Sequence, residues 1–275
     1  LDERVFLLGD AAQVMGPFLS QGMCHGLRAA LNLAWKVVLV EKFNVDRSAL
    51  LSTYEADIQP HAKKVVLASQ QNMFTVSSQS LFFRFFRDIF LFMLFKFVIF
   101  KDFFKRALYL PLMYGTIPPP EKVQNIPGKQ LLSHKFKSKA VGTVFIQPHV
   151  DDHQLLFAPV PLHSIMLITF DRELADKVLN EESRHHLKAL DVTYLPISTG
   201  GKSANSDKAA SKTHFLKELT RNDVYMLPMW RAEYGNPDLV IVRPDKFVFA
   251  AVKIKDAQAA IDELLTFFPL SSSPK

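Results

Sequence analysis

The sequence predicts an α/β protein of two domains, and three observations predict it. Apolar residues recur at helical spacing through much of the first 108 residues. Residues 116–130 hold Pro118, Pro119, Pro120, Pro127 and Gly128, a composition suited to a linker. Beyond them, short β-type runs alternate with helical stretches. The expected division is 1–115, a linker at 116–130, and 131–275.

In the first part, Arg4–Leu8 is a short apolar run ending at Gly9-Asp10-Ala11-Ala12, which reads as a strand entering a tight turn. Residues 22–42 read as a helix, with Leu27, Leu31, Ala34 and Val38 spaced three and four apart to form one buried face. A second helix runs from Ser48 to about Phe74, interrupted at Pro60. Residues 79–108 contain eleven Phe between Phe82 and Phe104 and neither Gly nor Pro, so a long helix is expected. Its longest charge-free run, Ile89 to Phe95, falls short of the roughly 20 apolar residues of a spanning helix. On a helical wheel Arg84, Arg87, Asp88, Asp102, Lys105 and Arg106 share a stripe opposite a broad Phe-rich face. Packing against the rest of the protein is the first reading of that face, a domain or homodimer interface the second, and a membrane surface the last.

In the second part, strands are expected at 141–147, 164–170, 192–196, 224–227, 239–243 and 247–252, and helices at 173–190 and 256–268. Residues 198–212 are polar and read as a loop. A β-α-β run closing in a hairpin and helix suggests a thioredoxin-like α/β domain. It has no C-x-x-C, so a packing or oligomer-forming role is expected rather than redox chemistry.

Composition narrows the function classes. With 48% apolar residues the chain can build real cores. Cys24 is the single cysteine, so no internal disulfide forms and a reducing compartment, the cytoplasm by default, is expected. The net charge of +6 is spread, and the cluster Lys129, Lys135, Lys137, Lys139 has no interleaved aromatics to stack bases, which argues against nucleic acid. The sequence starts at Leu1 with no signal-peptide pattern, and we expect it to be a piece of something longer.

The chemistry concentrates in Arg4–Lys36, RVFLLGDAAQVMGPFLSQGMCHGLRAALNLAWK. Asp10 follows the strand, at the edge where α/β folds bind ligands, and a carboxylate there can accept hydrogen bonds from ribose-type hydroxyls. A proline loop then leads to a helix headed by Gly22, whose unpaired N–H groups and positive dipole end favour an anionic group. These parts make a cradle for an anionic polyol.

The same segment resembles the second FAD-binding motif of the group A flavoprotein hydroxylases, most closely the branch of 3-(3-hydroxyphenyl)propionate hydroxylase and phenol hydroxylase. Gly9-Asp10-Ala11-Ala12, Pro17-Phe18, Gln21-Gly22-Met23-Cys24, Gly26, Arg28 and Asn32-Leu33-Ala34-Trp35-Lys36 stand in register with it. Leu50-Leu51-Ser52-Thr53-Tyr54-Glu55 with Gln59-Pro60-His61, and Arg243-Pro244-Asp245-Lys246-Phe247-Val248, resemble later motifs of that family. The resemblance implies an incomplete FAD-binding, Rossmann-type domain with long helices, followed by the thioredoxin-like domain. It implies cofactor contacts at Gly9, Asp10, Pro17, Gln21, Gly22, Met23 and Cys24: Asp10 on the ribityl chain, the Pro17 loop near the reactive edge of the ring, and the helix start at the N1 and O2 edge. No acid, base or nucleophile is implied, because the bond-making belongs to the cofactor. The complete enzyme would hydroxylate an aromatic small molecule with NAD(P)H and O2.

Gln13 stands where the family has His, Gly16 where it has Pro, Ser20 where it has Gly and Ala29 where it has Asp. No G-x-G-x-x-G follows a first strand, so FAD binding by this chain alone is expected to be weak or absent. Other patterns read as background. Ser198-Thr199-Gly200-Gly201-Lys202-Ser203 lacks the first glycine of a P-loop, His149, Asp151, Asp152 and His153 read as solvated loop residues rather than metal ligands, and the adjacent His185 and His186 face different ways. Two function classes follow: an FAD-dependent monooxygenase segment, or a non-catalytic interaction or membrane-surface protein using residues 79–108.

Overall fold

The computed structural model describes residues 4–96, 129–150, 154–170, 179–198, 216–217 and 226–270. The proline-rich linker and the P-loop-like stretch after Ser198 lie outside the described residues, as do Asp151–His153, the first part of the helix expected at 173–190, and the second part of the Phe-rich helix. The chain forms two compact units, one of residues 1–33 and 54–129 and one of residues 34–53 and 130–275.

In the first unit, helix α1 (Gly22–Lys42) begins after two short 3-10 turns, Gly9–Ala11 and Pro17–Leu19. Residues Arg47–Leu51, which belong to the second unit, form α2, where the Asp46 carboxylate caps the helix by accepting the Ala49 N–H at 2.7 Å. The long helix α3 (Thr53–Ser77) passes through Pro60 without interruption, and the break falls at Ser52 instead. Ala56, Asp57, His61, Ala62 and Val65 are all buried around the ring, and that burial offsets the roughly 3 kcal/mol helix penalty of proline. Helix α4 (Leu81–Lys96) follows, tied to the end of α3 by Phe83 and Arg87, and none of its described side chains is buried. Residues Val5–Leu8 are not a strand: Leu8 is extended (φ −135°, ψ 159°), but the run has no ladder partner among the described residues.

The second unit is built on a five-stranded sheet of order β5-β4-β3-β6-β7, with β3 at Met166–Thr169, β4 at Thr193–Ser198, β5 at Leu216–Lys217, β6 at Leu239–Val242 and β7 at Val248–Val252. Strands β3, β4 and β5 run parallel, while β6 and β7 are antiparallel additions, which is the thioredoxin-like pattern. Strands β3, β6 and β7 are buried at every position, because both faces of the sheet are covered. Helices α5 (Glu181–Ala189) and α7 (Ala257–Leu265) share a polar seam in which Ser183, Gln258 and Asp262 are hydrogen-bonded at 2.6–3.1 Å. Two sequence expectations fail here. Residues 141–147 carry only an isolated bridge, Val144 to Phe247, and of the run read as a strand at 224–227 the described residues Met226 and Leu227 begin helix α6 (Met226–Glu233), which buries Leu227 and Trp230. A two-residue hairpin, β1 (His149–Val150) with β2 (Gln154–Leu155), was not foreseen.

Residues 34–53 belong to this unit through specific contacts. Trp35 lies 6.4 Å from Phe268 between ring centroids, the Asp46 N–H donates to the Pro269 carbonyl at 2.8 Å, and Val45 bridges Leu270. Arg243 ties these parts together. Its guanidinium is 1% exposed, donates to both carboxylate oxygens of Asp245 at 3.0 and 2.6 Å and to the Leu131 carbonyl at 2.9 Å, and lies beside the rings of Trp35 and Phe247. Glu263, also buried, accepts from the Ser133 hydroxyl and from the His134 and Lys135 amides at 2.6–3.2 Å.

Removing Asp245 leaves a buried guanidinium without its counter-charge. Asp245→Ala is expected to lower the unfolding free energy by about 3–5 kcal/mol in denaturant titration. Arg47→Ala, which breaks the half-exposed 2.9 Å pair with Glu41, should cost less than about 1 kcal/mol.

Candidate cofactor site

The candidate site begins with the extended run Val5–Leu8, held by Tyr54 on α3. The Tyr54 hydroxyl donates to the Leu7 carbonyl at 3.0 Å, and its ring meets Phe6 edge-on at 5.7 Å. Gly9 then turns the chain with φ +54°, a left-handed conformation that a Cβ makes costly, and its carbonyl accepts the amides of Ala12 and Gln13 at 3.0 Å each. This turn sets Asp10 out as an exposed carboxylate.

The proline loop is pinned from the other side. The Ser69 hydroxyl of α3, itself buried, donates to the Gly16 carbonyl at 2.8 Å, and the Ser20 amide closes on the Pro17 carbonyl at 3.1 Å. Ser20 stands at φ 52°, also left-handed. The glycine that the resembled motif has there would avoid a strain of roughly 1–2 kcal/mol that Ser20 bears. Pro17 is exposed and Gln21 is buried, its carbonyl accepting the His25 amide at 2.8 Å as the first bond of α1. A Cβ built on Gly22 would meet nothing within 4 Å, Met23 is 77% exposed and Cys24 is half-buried, so the first turn of α1 opens to the surface. The turn and the helix approach closely: a Cβ on Gly26 would lie 3.4 Å from the Gly9 Cα.

The buried face of α1 differs from the expected one. Leu27 is 63% exposed and Leu31 is exposed as well, whereas His25, Ala29 and Asn32 are buried. In the first unit α1 therefore turns small and polar residues inward. Asn32 donates to Asp57 at 3.4 Å, and the His25 and His61 rings lie 5.2 Å apart at 51°. None of the four imidazole nitrogens has a protein hydrogen-bond partner among the described residues. Burial, with the Arg28 charge adding to it, lowers the His25 pKa to about 4; burial, with His25, Arg28 and Lys64 adding to it, lowers His61 to about 3. Both rings are neutral at pH 7. The pairing escaped the sequence reading because its members are 36 residues apart and carry no local periodic signal.

These observations give two expectations. Gly9→Ala should lower stability by about 1–2 kcal/mol through its left-handed φ. Gly26→Ala, a helical position with an ordinary contact at 3.4 Å, should leave stability unchanged or raise it by up to about 1 kcal/mol, as thermal unfolding will show. Because folding depresses the pKa of both histidines, the unfolded chain binds the extra protons. Their contribution is complete above about pH 6.5 and is lost as pH falls toward 4 and 3. The expected slope is about 1.4 kcal/mol per pH unit for each ring, and His61→Leu should remove about half of it in denaturant titrations between those limits.

Comparison with known proteins bears on this segment directly. Residues 1–69 match the family described as FAD binding domain, and residues 142–267 match the HcaD C-terminal domain. A probable NADH-specific resorcinol 4-hydroxylase of Rhodococcus jostii is 48% identical over 62 residues, which are 22% of this chain and 11% of that protein. The 3-(3-hydroxy-phenyl)propionate/3-hydroxycinnamic acid hydroxylase of Escherichia coli is 45% identical over 64 residues, 23% of this chain and 11% of the relative. Among solved structures, OxyS anhydrotetracycline hydroxylase from Streptomyces rimosus aligns with a TM-score of 0.64 at 17% identity, over 98% of this chain and 46% of its own. The flavin-dependent monooxygenase PieE, solved with FAD and substrate, aligns at 0.58 and 16% identity over 96% and 47%. The chain thus spans less than half the length of these solved proteins, which share its fold. With an FAD-binding-domain match at one end, an HcaD C-terminal-domain match at the other and a shared fold along its length, the chain fits the pattern of the group A FAD-dependent aromatic monooxygenases, to whose FAD-binding and C-terminal segments it is similar.

Proposed function

We propose that this chain supplies the ring-side half of an FAD site in an enzyme that hydroxylates phenolic rings with NAD(P)H and O2. The observation that carries the reading is the juxtaposition of an exposed Asp10 on the Gly9 turn with the open first turn of α1, where a Cβ on Gly26 would lie 3.4 Å from the Gly9 Cα. The residues fit the group. Asp10 offers carboxylate oxygens to the hydroxyls of a ribityl chain, and the Gly9 turn presents them without a side chain in the way. The amides of Gly22, Met23 and Cys24 begin a helix of 21 residues, so negative charge on a ring edge in front of them is stabilised by N–H donors and the helix dipole. Gln21 anchors that first turn from below, and the exposed Pro17 closes the loop beside it. The flavin, when bound, supplies the redox and oxygen chemistry; the chain's own residues bind and orient it. The left-handed Ser20 and the lack of a G-x-G-x-x-G pattern in this chain support weak binding by the chain alone.

Titration of flavin fluorescence tests the assignment. The wild-type chain is expected to bind FAD weakly, and fusion to a nucleotide-binding half carrying the G-x-G-x-x-G pattern should tighten it to a yellow complex. In that fusion Asp10→Ala should weaken binding by about 10- to 100-fold, the worth of one or two charge-assisted hydrogen bonds. A fusion that binds no flavin, or an Asp10→Ala variant that binds as tightly as wild type, refutes the reading.

A further inference from the structure

The extended run Val5–Leu8 has the composition of a strand and no neighbouring strand to pair with. Among the described residues the amides of Val5, Phe6, Leu7 and Leu8 have no acceptor, and of the four carbonyls only that of Leu7 is met, by the Tyr54 hydroxyl at 3.0 Å. In an extended chain the N–H and C=O of one residue point to the same edge, and those of the next residue to the opposite edge. Tyr54 therefore stands at the edge of Val5 and Leu7, and the edge of Phe6 and Leu8 is open. The side chains are apolar on both faces: Val5 and Leu7 are 55% and 49% exposed, while Phe6 and Leu8 are half-buried. A second uncovered surface adjoins the run. Met23, Leu27 and Leu31 recur every four residues along α1 and are all exposed, and a Cβ on Gly26, the residue before Leu27, would lie 3.4 Å from the Gly9 Cα, where the run ends.

The chemistry of the run chooses its occupant. N–H and C=O groups alternating along an extended backbone are matched in register by another extended backbone. A run that is apolar on both faces belongs inside a sheet covered on both sides, as in parallel α/β sheets. A second copy of the chain would add one strand and leave that ribbon bare on both faces, an arrangement that is marginal in water. The occupant that meets both demands is a body with several strands and helices to cover them. Residues 1–69 match an FAD binding domain, and more than half the length of the solved proteins that share the fold lies outside the part shared with this chain. We infer that Val5–Leu8 and the stripe of Met23, Leu27 and Leu31 form one docking edge for the nucleotide-binding half of an FAD-binding domain, which sets a strand beside Phe6 and Leu8 and covers the stripe through protein contacts, without flavin. The partner's identity rests on the flavin reading above; the edge rests on the unpaired backbone.

The fusion to a nucleotide-binding half, built with a protease site in its linker and stripped of flavin, tests it. After cleavage the two halves are expected to leave a sizing column together. In hydrogen exchange the Phe6 and Leu8 amides should exchange at least about 100-fold more slowly than in the chain alone. The exposed double change Leu7→Asp, Leu27→Asp should weaken association at least about 10-fold, while circular dichroism of the chain alone stays that of wild type. Four results overturn the inference: halves that part on cleavage, Phe6 and Leu8 amides that gain no protection, association that survives the double change, or self-association of the chain alone that protects the same amides, which would make a second copy the occupant. A fusion whose halves stay together but bind no flavin refutes the flavin reading alone.

Discussion

A guanidinium sealed from water is tolerable only while its charge is balanced and its donors find acceptors, and much of the second unit is arranged around Arg243. Asp245 neutralises it through two hydrogen bonds, the Leu131 carbonyl takes a third, and Trp35 and Phe247 close the sides. These partners come from the early helix, from the start of the second compact stretch and from the β6–β7 hairpin. A loop that must satisfy a buried charge has one acceptable conformation, which is why residues so distant in sequence meet in one place. The motif Arg243-Pro244-Asp245 is therefore a fastening of the fold and not a reactive group.

The first unit works on a different constraint. A turn must pass close to a helix and still leave a carboxylate facing out. Gly9 meets it with a left-handed φ, and α3 holds both ends through Tyr54 and Ser69. Behind this frame the helix packs through His25, Ala29 and Asn32 rather than through leucines. Leu27 and Leu31 remain outside, alongside Met23, on the side where the first turn opens. Apolar residues facing out beside an open helix start are what a flat ligand or further polypeptide would cover.

Legibility in the sequence followed the range of the interactions involved. Helices α1 and α4 were readable because their signals repeat every three or four residues, and the thioredoxin-like pattern because β3, β4, β6 and β7 are short apolar runs with polar breaks. The candidate site was readable because its residues are contiguous, from Gly9 to Cys24. What failed depended on long-range partners. The run at 4–8 has strand composition, but a strand is defined by neighbours. Val224–Leu227 has the residues of a strand, yet Leu227 and Trp230 are claimed by the sheet's core at helical spacing. The buried side of α1 could not be chosen by hydrophobicity, since the residues on it are paired with α3 through polar groups. Pro60 read as a break because local preference was weighed without the burial around it.

The fastening of residues 34–53 to the far end of the chain also sets an order of events during synthesis. Trp35, Asp46 and Val45 find their partners at Phe268, Pro269 and Leu270, and Ser133 finds its own at Glu263. More than two hundred residues must therefore leave the ribosome between Trp35 and the aromatic ring that covers it. Until then Trp35 lacks the ring that packs against it in the native unit. Formation of the second unit therefore waits on contacts between segments far apart in the chain, which raises the loop-closure cost of its folding.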